Sequence, residues 1–260
     1  MRVIQPRIQH TGIIIKSPAQ LDVMRQAGRV VARTLEILLE AVKPGVTTAE
    51  LDEIAEESIR SHGAVPSFKG YRGFPGSICT SLNEEVVHGI PSSDRVVQEG
   101  DVLGLDCGAI VDGYHGDSAV TIAVGAVSDQ VARLLEAGEG SLNAAIEMVR
   151  VGNRMGDVSW AAQEYSETRG FSVVKEYVGH GIGRDLHEEP AVPNFGTKGR
   201  GILLQPGMVL AIEPMVNVGT WRTRVQPDEW TVVTEDGALS VHFEHTVAVL
   251  DEGPEVFTAR

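Results

Sequence analysis

A pattern of carboxylates on strand-like segments occurs twice in the chain and limits the folds that it can adopt. The segment 100–106 reads GDVLGLD and the segment 207–213 reads GMVLAIE, so each ends an apolar run with an acid. A second acid, Asp117 or Glu244, opens a later apolar run in each half. An ionised carboxylate that is buried alone is costly, so these acids need a shared positive partner. The pattern therefore predicts a metal site that both halves build together.

The order of helices and strands also repeats. Helical spacing of apolar residues after Ser17 and a Thr-Thr-Ala-Glu capping box at Thr47 predict two helices, and strands follow as far as Gly125. Two more helices and a second set of strands come next. The predicted helices cover about 18–42, 48–62, 129–150 and 157–169. We therefore predict an α+β fold with internal pseudo-two-fold symmetry, in which helices cover an antiparallel β-sheet.

A single domain is expected for most of the chain. Because the acids of the two halves have to meet, the halves over about 17–127 and 128–250 should form one domain over residues 17–260. The metal site would then lie on the pseudo-two-fold axis. Residues 1–16 are expected to form an N-terminal extension.

The charge and the cysteine content exclude several classes of protein. A formal net charge of −14 argues against nucleic acid or an anionic membrane as the main partner. No run approaches the roughly 20 apolar residues that span a bilayer. Cys79 and Cys107 cannot form a disulfide framework, and no secretory apolar region follows Arg2. We expect a cytoplasmic monomer that binds neither nucleic acid nor membrane.

The first pair of acids flanks a turn-rich stretch. Between Asp106 and Asp117, the sequence DGYHGD (112–117) predicts a β-hairpin that brings the two carboxylates side by side. Alone, this spacing would favour a solvated strand end and a turn cap. Because Glu213 and Glu244 occupy matched positions, we favour a pair of divalent metals held ~3.5–4 Å apart by bridging carboxylates. One imidazole among the ligands suits Mn, Fe, Co or Zn.

A histidine motif stands before each pair of acids. It reads HGI at 88–90 and extends to HGIGRDLHEEP at 180–190. With these motifs the chain resembles the type I methionine aminopeptidases. Further segments that match the family are GFPGSIC (73–79), NEEVVHGIP (83–91), DGYHGD (112–117), AIEPM (211–215) and FEHT (243–246). The resemblance covers roughly residues 17–250.

The resemblance implies the pita-bread fold and a two-metal active site. The residues that match the family's metal ligands are Asp106, Asp117, His180, Glu213 and Glu244. Asp117 and Glu244 would bridge both metals. His180 and Glu213 would bind one of the two, and Asp106 the other. The nucleophile would be a hydroxide that bridges the metals, and Glu213 would carry its proton to the leaving amine.

The implied activity is removal of the initiator methionine from nascent proteins when the second residue is small. His88 resembles the histidine that contacts the peptide nitrogen, and His187 the one that supports the carbonyl oxygen as negative charge develops there. The residues at the family's methionine pocket are Tyr71, Phe74, Cys79 and Trp230. A thioether suits such an apolar pocket. The implied partners are nascent polypeptide N-termini, and a transient ribosome contact is compatible with that role.

The pocket departs from the family pattern at two positions. Phe74 stands where a tyrosine is common in relatives, and Leu186 where an aromatic residue is common. The resemblance therefore defines the chemistry of the site more closely than the shape and affinity of this pocket.

Two alternatives stay open. A prolidase or X-Pro aminopeptidase would use the same kinds of ligands, but those relatives usually carry a large domain before the catalytic one. Here the catalytic pattern starts near residue 17, and the HGIP motif at 88–91 is of the methionine type. A catalytically dead binding protein of the same fold would have lost ligands, whereas this chain retains all of them.

Other histidines and one cysteine receive no catalytic role. His10 and His62 are expected to be exposed. His242 shares a strand face with Glu244 and could orient a metal ligand, but packing is the favoured role. Cys107 alternates away from Asp106 and is expected in the core.

Overall fold

Four helices form two pairs, in the order that the sequence predicts. The computed structural model describes residues 12–260 and the backbone of residues 7 and 8. The helices are α1 (Pro18–Ala41), α2 (Thr48–Ser61), α3 (Asp129–Glu147) and α4 (Met155–Glu167). Helix α1 packs on α2, and α3 packs on α4. Each of the predicted helices is therefore present.

Local side-chain contacts set the helix starts. Glu50 N–H donates to Thr47 Oγ1 at 3.2 Å, and Thr47 N–H donates to Glu50 Oε2 at 2.8 Å, which is the predicted capping box. In α4, Asp157 Oδ2 accepts the N–H of Arg154 at 2.8 Å. Because Asp157 caps the helix from within its first turn, α4 begins at Met155 and not at Asp157 as predicted.

A long hairpin dominates the strands of the first half. The strands are β1 (Arg7–Ile8), β2 (Ile14–Ile15), β3 (Val65–Pro66), β4 (Ile78–Leu82), β5 (Glu85–Val87), β6 (Val102–Val111) and β7 (Tyr114–Ala123). Strand β1 pairs with β2, and β3, β4 and β7 pair antiparallel with β6. Asp112 and Gly113 have φ angles of 48° and 76°, as both central residues of a type I′ turn require. The predicted hairpin is confirmed.

The strands of the second half are shorter and lie in several small sheets. They are β8 (Ser172–Val173), β9 (Gly179–Gly181), β10 (Glu188–Val192), β11 (Val209–Ile212), β12 (Met215–Asn217), β13 (Thr223–Val225), β14 (Val232–Thr234), β15 (Ser240–His242), β16 (His245–Leu250) and β17 (Gly253–Val256). Their orders are β10-β9-β11-β16-β17, β15-β12-β8 and β13-β14-β5. The last of these sheets includes a strand of the first half.

The two halves join along β7, next to the acids. Ala119 N–H donates to the carbonyl of Glu244 at 3.3 Å, and Glu244 N–H donates to the carbonyl of Ala119 at 2.9 Å. Thr246 Oγ1 accepts from Asp117 N–H at 2.9 Å and donates to the carbonyl of Asp117 at 2.8 Å. The second acid of each half therefore lies at the junction of the halves.

The helices pack on these strands to form the core. Helix α1 contacts β6 and β7, and α3 contacts β12 and β15. A Cβ on Gly116 would lie 2.8 Å from the nitrogen of Gly28, so only glycine allows α1 to approach β7 this closely. Core side chains that are completely buried include Leu35, Leu38, Leu103, Leu105 and Leu134.

The described part of the predicted N-terminal extension packs against the rest of the chain. Ile13 is buried in the main core, and Lys16 N–H donates to the carbonyl of Gly207 at 2.8 Å. The domain boundary at residue 17 stays a prediction. His10 lies outside the described residues, and His62 is exposed as expected. Among the described residues, no helix has the length and apolar character to cross a membrane.

Candidate metal centre

The acids of the first half lie on neighbouring strands and share a face. Asp106 on β6 pairs with Ala119, and Asp117 on β7 pairs with Gly108. Asp106 and Asp117 are thus diagonal neighbours across the hairpin, within reach of one another. Asp117 is buried. The long ladder holds both carboxylates in a fixed register.

The acids of the second half lie where the strands are interrupted. Glu213 follows β11, and Glu244 precedes β16. Ile212 pairs with His245 in one ladder and Met215 with His242 in the next, so both glutamates fall in the gap between two ladders. Glu244 is buried. The gap leaves both carboxylates free to turn toward the hairpin of the first half.

One histidine completes the cluster. Carboxylate oxygens of Asp117 and Glu244 and a ring nitrogen of His180 all lie within 4.8 Å of one another. His180 Nδ1 is 2.9 Å from the carbonyl of Gly181, so Nδ1–H donates there and Nε2 keeps its lone pair. That Nε2 lies 3.5 Å from Glu213 Oε1. A lone pair and a carboxylate oxygen that face each other at this distance suit a cation between them.

The electrostatics of the cluster indicate a missing positive charge. Burial, and then repulsion from neighbouring carboxylates, raises the pKa of Asp117 and of Glu244 well above their usual values. Burial raises the pKa of Asp106 to about 7. Burial alone would raise the pKa of Glu213 as well. The nearby ring of His242 and the charge of His180 outweigh this effect, so the pKa of Glu213 is lowered overall.

Unpaired oxygens in the cluster fit a divalent metal. Asp106 Oδ1, Asp117 Oδ1 and Glu244 Oε1 are buried and have no hydrogen-bond partner among the described residues. A bound cation would satisfy buried carboxylate oxygens that have no donor. Carboxylates with one imidazole form a donor set that first-row divalent metals accept. The residues present therefore fit a bound metal.

A cavity of about 150 Å³ opens beside the acidic cluster. The structure brings every predicted site residue to this cavity: Tyr71, Phe74, Cys79, His88, Asp106, Asp117, His180, His187, Glu213, Trp230 and Glu244. The apolar side packs Phe74 against Trp230, with ring centroids 5.1 Å apart. Cys79 is buried, and burial raises the pKa of its thiol well above the usual value, so it lines the wall as a neutral group. The roles of these residues stay predictions.

The two predicted catalytic histidines are neutral and held by aromatic neighbours. His187 Nδ1 lies 2.9 Å from Tyr71 Oη, and the two rings are stacked. Burial and then the charge of His180 lower the pKa of His187 to about 4. His88 has a φ of 62°, and its ring meets Trp230 edge-on. Burial lowers its pKa as well.

Some residues at the cluster were missing from the predicted site. Phe68, Arg72 and Leu186 also line the cavity. His242 is buried as expected, but its Nε2 lies 3.5 Å from Glu213 Oε2 and 4.0 Å from Glu244 Oε2. The shared strand face of His242 and Glu244 was the available sequence signal. Cys107 is buried in the core, as predicted.

Comparisons with known proteins identify the family of the chain. The methionine aminopeptidase of Clostridium acetobutylicum is 55% identical over 246 residues, which cover 95% of this chain and 98% of the relative. A crystal structure of methionine aminopeptidase from Thermotoga maritima superposes with a TM-score of 0.94 at 44% identity and covers 95% of this chain and 100% of that one. The predicted resemblance to methionine aminopeptidases is therefore confirmed.

A more distant structure shares the fold. The Xaa-Pro dipeptidase from Bacillus anthracis superposes with a TM-score of 0.76 at 25% identity and covers 95% of this chain and 62% of that one. With these neighbours, the predicted pita-bread fold is confirmed. A model of metallopeptidase family M24 matches residues 22–251. The chain belongs to metallopeptidase family M24.

Proposed function

We propose that this chain is a methionine aminopeptidase that removes the N-terminal methionine from nascent proteins when the second residue is small. The observation that carries the proposal is the convergence of four acids, of which Asp117 and Glu244 are buried, and His180 at a cavity of about 150 Å³ with an apolar wall. The identity of 55% to a methionine aminopeptidase over nearly the whole chain supports the same substrate.

The metal would be held by residues of both halves. We assign Asp117 and Glu244 as bridging ligands, His180 and Glu213 as ligands of one metal, and Asp106 as a ligand of the other. The proposed cofactor is a pair of divalent ions, of Mn, Fe, Co or Zn. When bound, such a pair would lower the pKa of a water molecule and polarise the scissile carbonyl.

We assign the transfer of the proton to Glu213. Its pKa is lowered, because His242 and His180 together outweigh the effect of burial. The carboxylate is therefore ionised at neutral pH and can accept the proton of the attacking water. It would then deliver this proton to the nitrogen of the leaving peptide.

We assign the support of the carbonyl oxygen to His187. Its pKa of about 4 keeps the ring neutral at pH 7, so only one ring nitrogen carries a proton. If Tyr71 Oη donates to Nδ1 across 2.9 Å, the proton resides on Nε2. Because His187 lines the cavity, that N–H would stabilise the developing oxyanion. The neutral ring of His88, on the other side, would contact the nitrogen of the leaving peptide.

The remaining cavity wall would select the first residue. Tyr71, Phe74, Cys79 and Trp230 provide an apolar surface without a fixed charge. An unbranched thioether fits such a slot, while a charged side chain would lose its hydration without gaining a partner. The proposed partners are nascent N-termini, and a cytoplasmic location and a ribosome contact go with this activity.

A panel of peptides tests the proposal against the X-Pro alternative. The structural similarity to the Xaa-Pro dipeptidase is the reason to include that alternative. The protein is stripped of metal, reloaded with Mn or Co, and assayed on Met-Ala-Ser, Met-Pro and Xaa-Pro peptides. We expect release of Met from Met-Ala-Ser and little cleavage of the proline peptides. Preferred cleavage of Xaa-Pro would make the chain a prolidase, and no cleavage of any peptide by metal-loaded protein would reject both activities.

A further inference from the structure

His242 is a third histidine at the acidic cluster, outside the proposed ligand set. Its side chain is buried, and its Nε2 lies 3.5 Å from Glu213 Oε2 and 4.0 Å from Glu244 Oε2. Within the described part of the chain this nitrogen has no partner at full hydrogen-bond geometry. The ring nitrogen therefore faces two carboxylates that belong to different strands.

The backbone of His242 is held from the other half of the chain. Thr121 Oγ1, on β7, accepts from His242 N–H at 2.9 Å and donates to the carbonyl of His242 at 2.7 Å. On its own sheet, His242 pairs with Met215 of β12, just beyond Glu213. Because both edges of this short strand are bonded, the backbone that carries the ring is fixed beside Glu213 and Glu244.

The surroundings of His242 Nε2 indicate whether this nitrogen carries a proton. A bare lone pair would repel the oxygens of Glu213 and Glu244, whereas an N–H would attract them. The favoured arrangement has the proton on Nε2 and directs it toward the nearer oxygen, Glu213 Oε2. Small movements of the glutamate would complete this hydrogen bond, because the separation of 3.5 Å is slightly long.

The two oxygens of Glu213 then have different neighbours. Oε1 lies 3.5 Å from His180 Nε2, and Oε2 lies 3.5 Å from His242 Nε2. His180 carries its proton on Nδ1, so the Oε1 side offers two lone pairs to a cation. The Oε2 side offers a donor. His242 thus distinguishes two oxygens that are chemically equal in the free carboxylate.

We propose that His242 is a positioning residue that orients Glu213 for metal binding by donating from Nε2 to Glu213 Oε2. The proposal rests on the metal centre of the proposed function, but not on its peptide substrate. Hydrogen-bonding partners of metal-ligating side chains typically change metal affinity about 10- to 100-fold when they are lost.

The first half contains a matched histidine that lacks this contact. His115 stands two residues before Asp117, as His242 stands two residues before Glu244. His115 is also buried, but its Nδ1 lies 2.9 Å from Ser67 Oγ, a residue outside the metal cluster. It provides a control that matches His242 in residue type, in burial and in its separation along the sequence from the following acid.

The test compares metal binding by the full chain in four forms: wild type, His242→Phe, His242→Gln and His115→Phe. Metal-free protein is titrated calorimetrically with Mn, and bound metal is counted by mass spectrometry. We expect His242→Phe to weaken binding about 10- to 100-fold with unchanged stoichiometry. The His242→Gln variant, which keeps an N–H donor, should stay within a few-fold of wild type, and so should His115→Phe.

Two outcomes would overturn the proposal. Wild-type affinity in His242→Phe would leave only a packing role, and loss of one metal equivalent would make His242 a ligand. Circular dichroism and thermal melts of the metal-free variants establish that they fold, and His242→Leu replaces His242→Phe if the latter does not. Because the readout is metal binding, the result holds even if Met-Ala-Ser proves not to be a substrate.

Discussion

The two halves of the chain supply the same kinds of groups by different routes. In the first half, Asp106 and Asp117 lie on one hairpin whose ladder is continuous past both acids. In the second half, Glu213 and Glu244 lie in a gap between two separate ladders. An aspartate on a continuous strand has a short reach and a fixed direction. The longer glutamates, freed by the gap, can approach the same cavity from the opposite side.

The loops next to the histidines differ in burial. Near His187, Glu188 Oε2 accepts from Lys16 Nζ at 2.6 Å, and the two side chains are 3% and 2% exposed. Near His88, Glu85 accepts from Arg95 Nη2 at 2.6 Å, but these side chains are 15% and 25% exposed. In each loop the glutamate also accepts a backbone N–H. The same arrangement therefore stabilises both loops, but only the Lys16–Glu188 pair is almost completely removed from water.

The largest expected effect is the loss of hydrolysis when a metal-binding acid is replaced, and metal binding should then distinguish the bridging acid Glu244 from the single-metal acid Asp106. Both Glu244→Gln and Asp106→Asn should abolish hydrolysis, because a neutral amide oxygen is a poorer metal ligand than a carboxylate. Glu244→Gln should weaken the binding of both metals, whereas Asp106→Asn should weaken the binding of only one. Metal counts and calorimetry on the purified variants measure this difference.

The fold should survive these acid substitutions, which circular dichroism can verify. Activity close to wild type in either variant at micromolar metal would contradict the two-metal assignment. Equal loss of both metals from the two variants would remove the distinction between the bridging acid of the second half and the single-metal acid of the first.

The next effect concerns the oxyanion histidine of the second half. His187→Ala should lower kcat about 10²- to 10³-fold with little change in KM, since a donor to the developing oxyanion acts mainly in the transition state. The matched first-half change, His88→Ala, should affect KM as well, because His88 would contact the leaving peptide throughout. Steady-state kinetics on Met-Ala-Ser separate the two patterns.

Metal content is the control for both histidine variants and should stay at the wild-type level. A stoichiometric loss of metal from His187→Ala would make His187 a ligand and not a donor to the carbonyl oxygen.

The buried ion pair should matter more for stability than its first-half counterpart. Burial lowers the pKa of Lys16 although Glu188 opposes it, which indicates a well-desolvated ammonium. Lys16→Met would leave Glu188 charged and buried, a change that typically costs about 3–5 kcal/mol. Arg95→Met breaks a more exposed pair, for which about 1 kcal/mol or less is expected. Urea unfolding of both variants measures the free energies.

A double variant sharpens this test. Lys16→Met combined with Glu188→Gln removes both charges and should recover part of the lost stability. If Lys16→Met and Arg95→Met cost the same, burial would not be what separates the two loops.

Much of the fold could be predicted because its signals are local. The Thr47 capping box, the Asp112-Gly113 turn and the helical spacing after Ser17 each act within a few residues, and all three are present in the structure. The repeated acids were informative for another reason. Two halves with the same pattern have few ways to bring four carboxylates onto one cation site.

The remaining features depend on contacts between distant parts of the chain. Lys16 and Glu188 are 172 residues apart, and no local pattern predicts their pairing. The sequence placed His242 on the same face as Glu244, but the position of its backbone depends on bonds to Thr121 in the other half. Strand alternation alone could not distinguish a packed ring from one that faces the acids.

The smallest predicted effect concerns the methionine pocket, where Phe74 of the first half packs against Trp230 of the second. Phe74 is 3% exposed and packs edge-on against Trp230, which is only partly buried. Phe74→Leu should therefore lower kcat/KM for Met-Ala-Ser by about tenfold, in the range of small changes to an apolar pocket, and Trp230→Leu by less. Wild type should cut Met-Ala, Met-Gly and Met-Ser peptides and largely spare Met-Lys and Met-Leu. Kinetics on this panel test both expectations. A larger loss of kcat/KM in Trp230→Leu than in Phe74→Leu would assign the control of selectivity to the second half. Efficient release of Leu or Lys as the first residue by wild type would place the chain among broader peptidases.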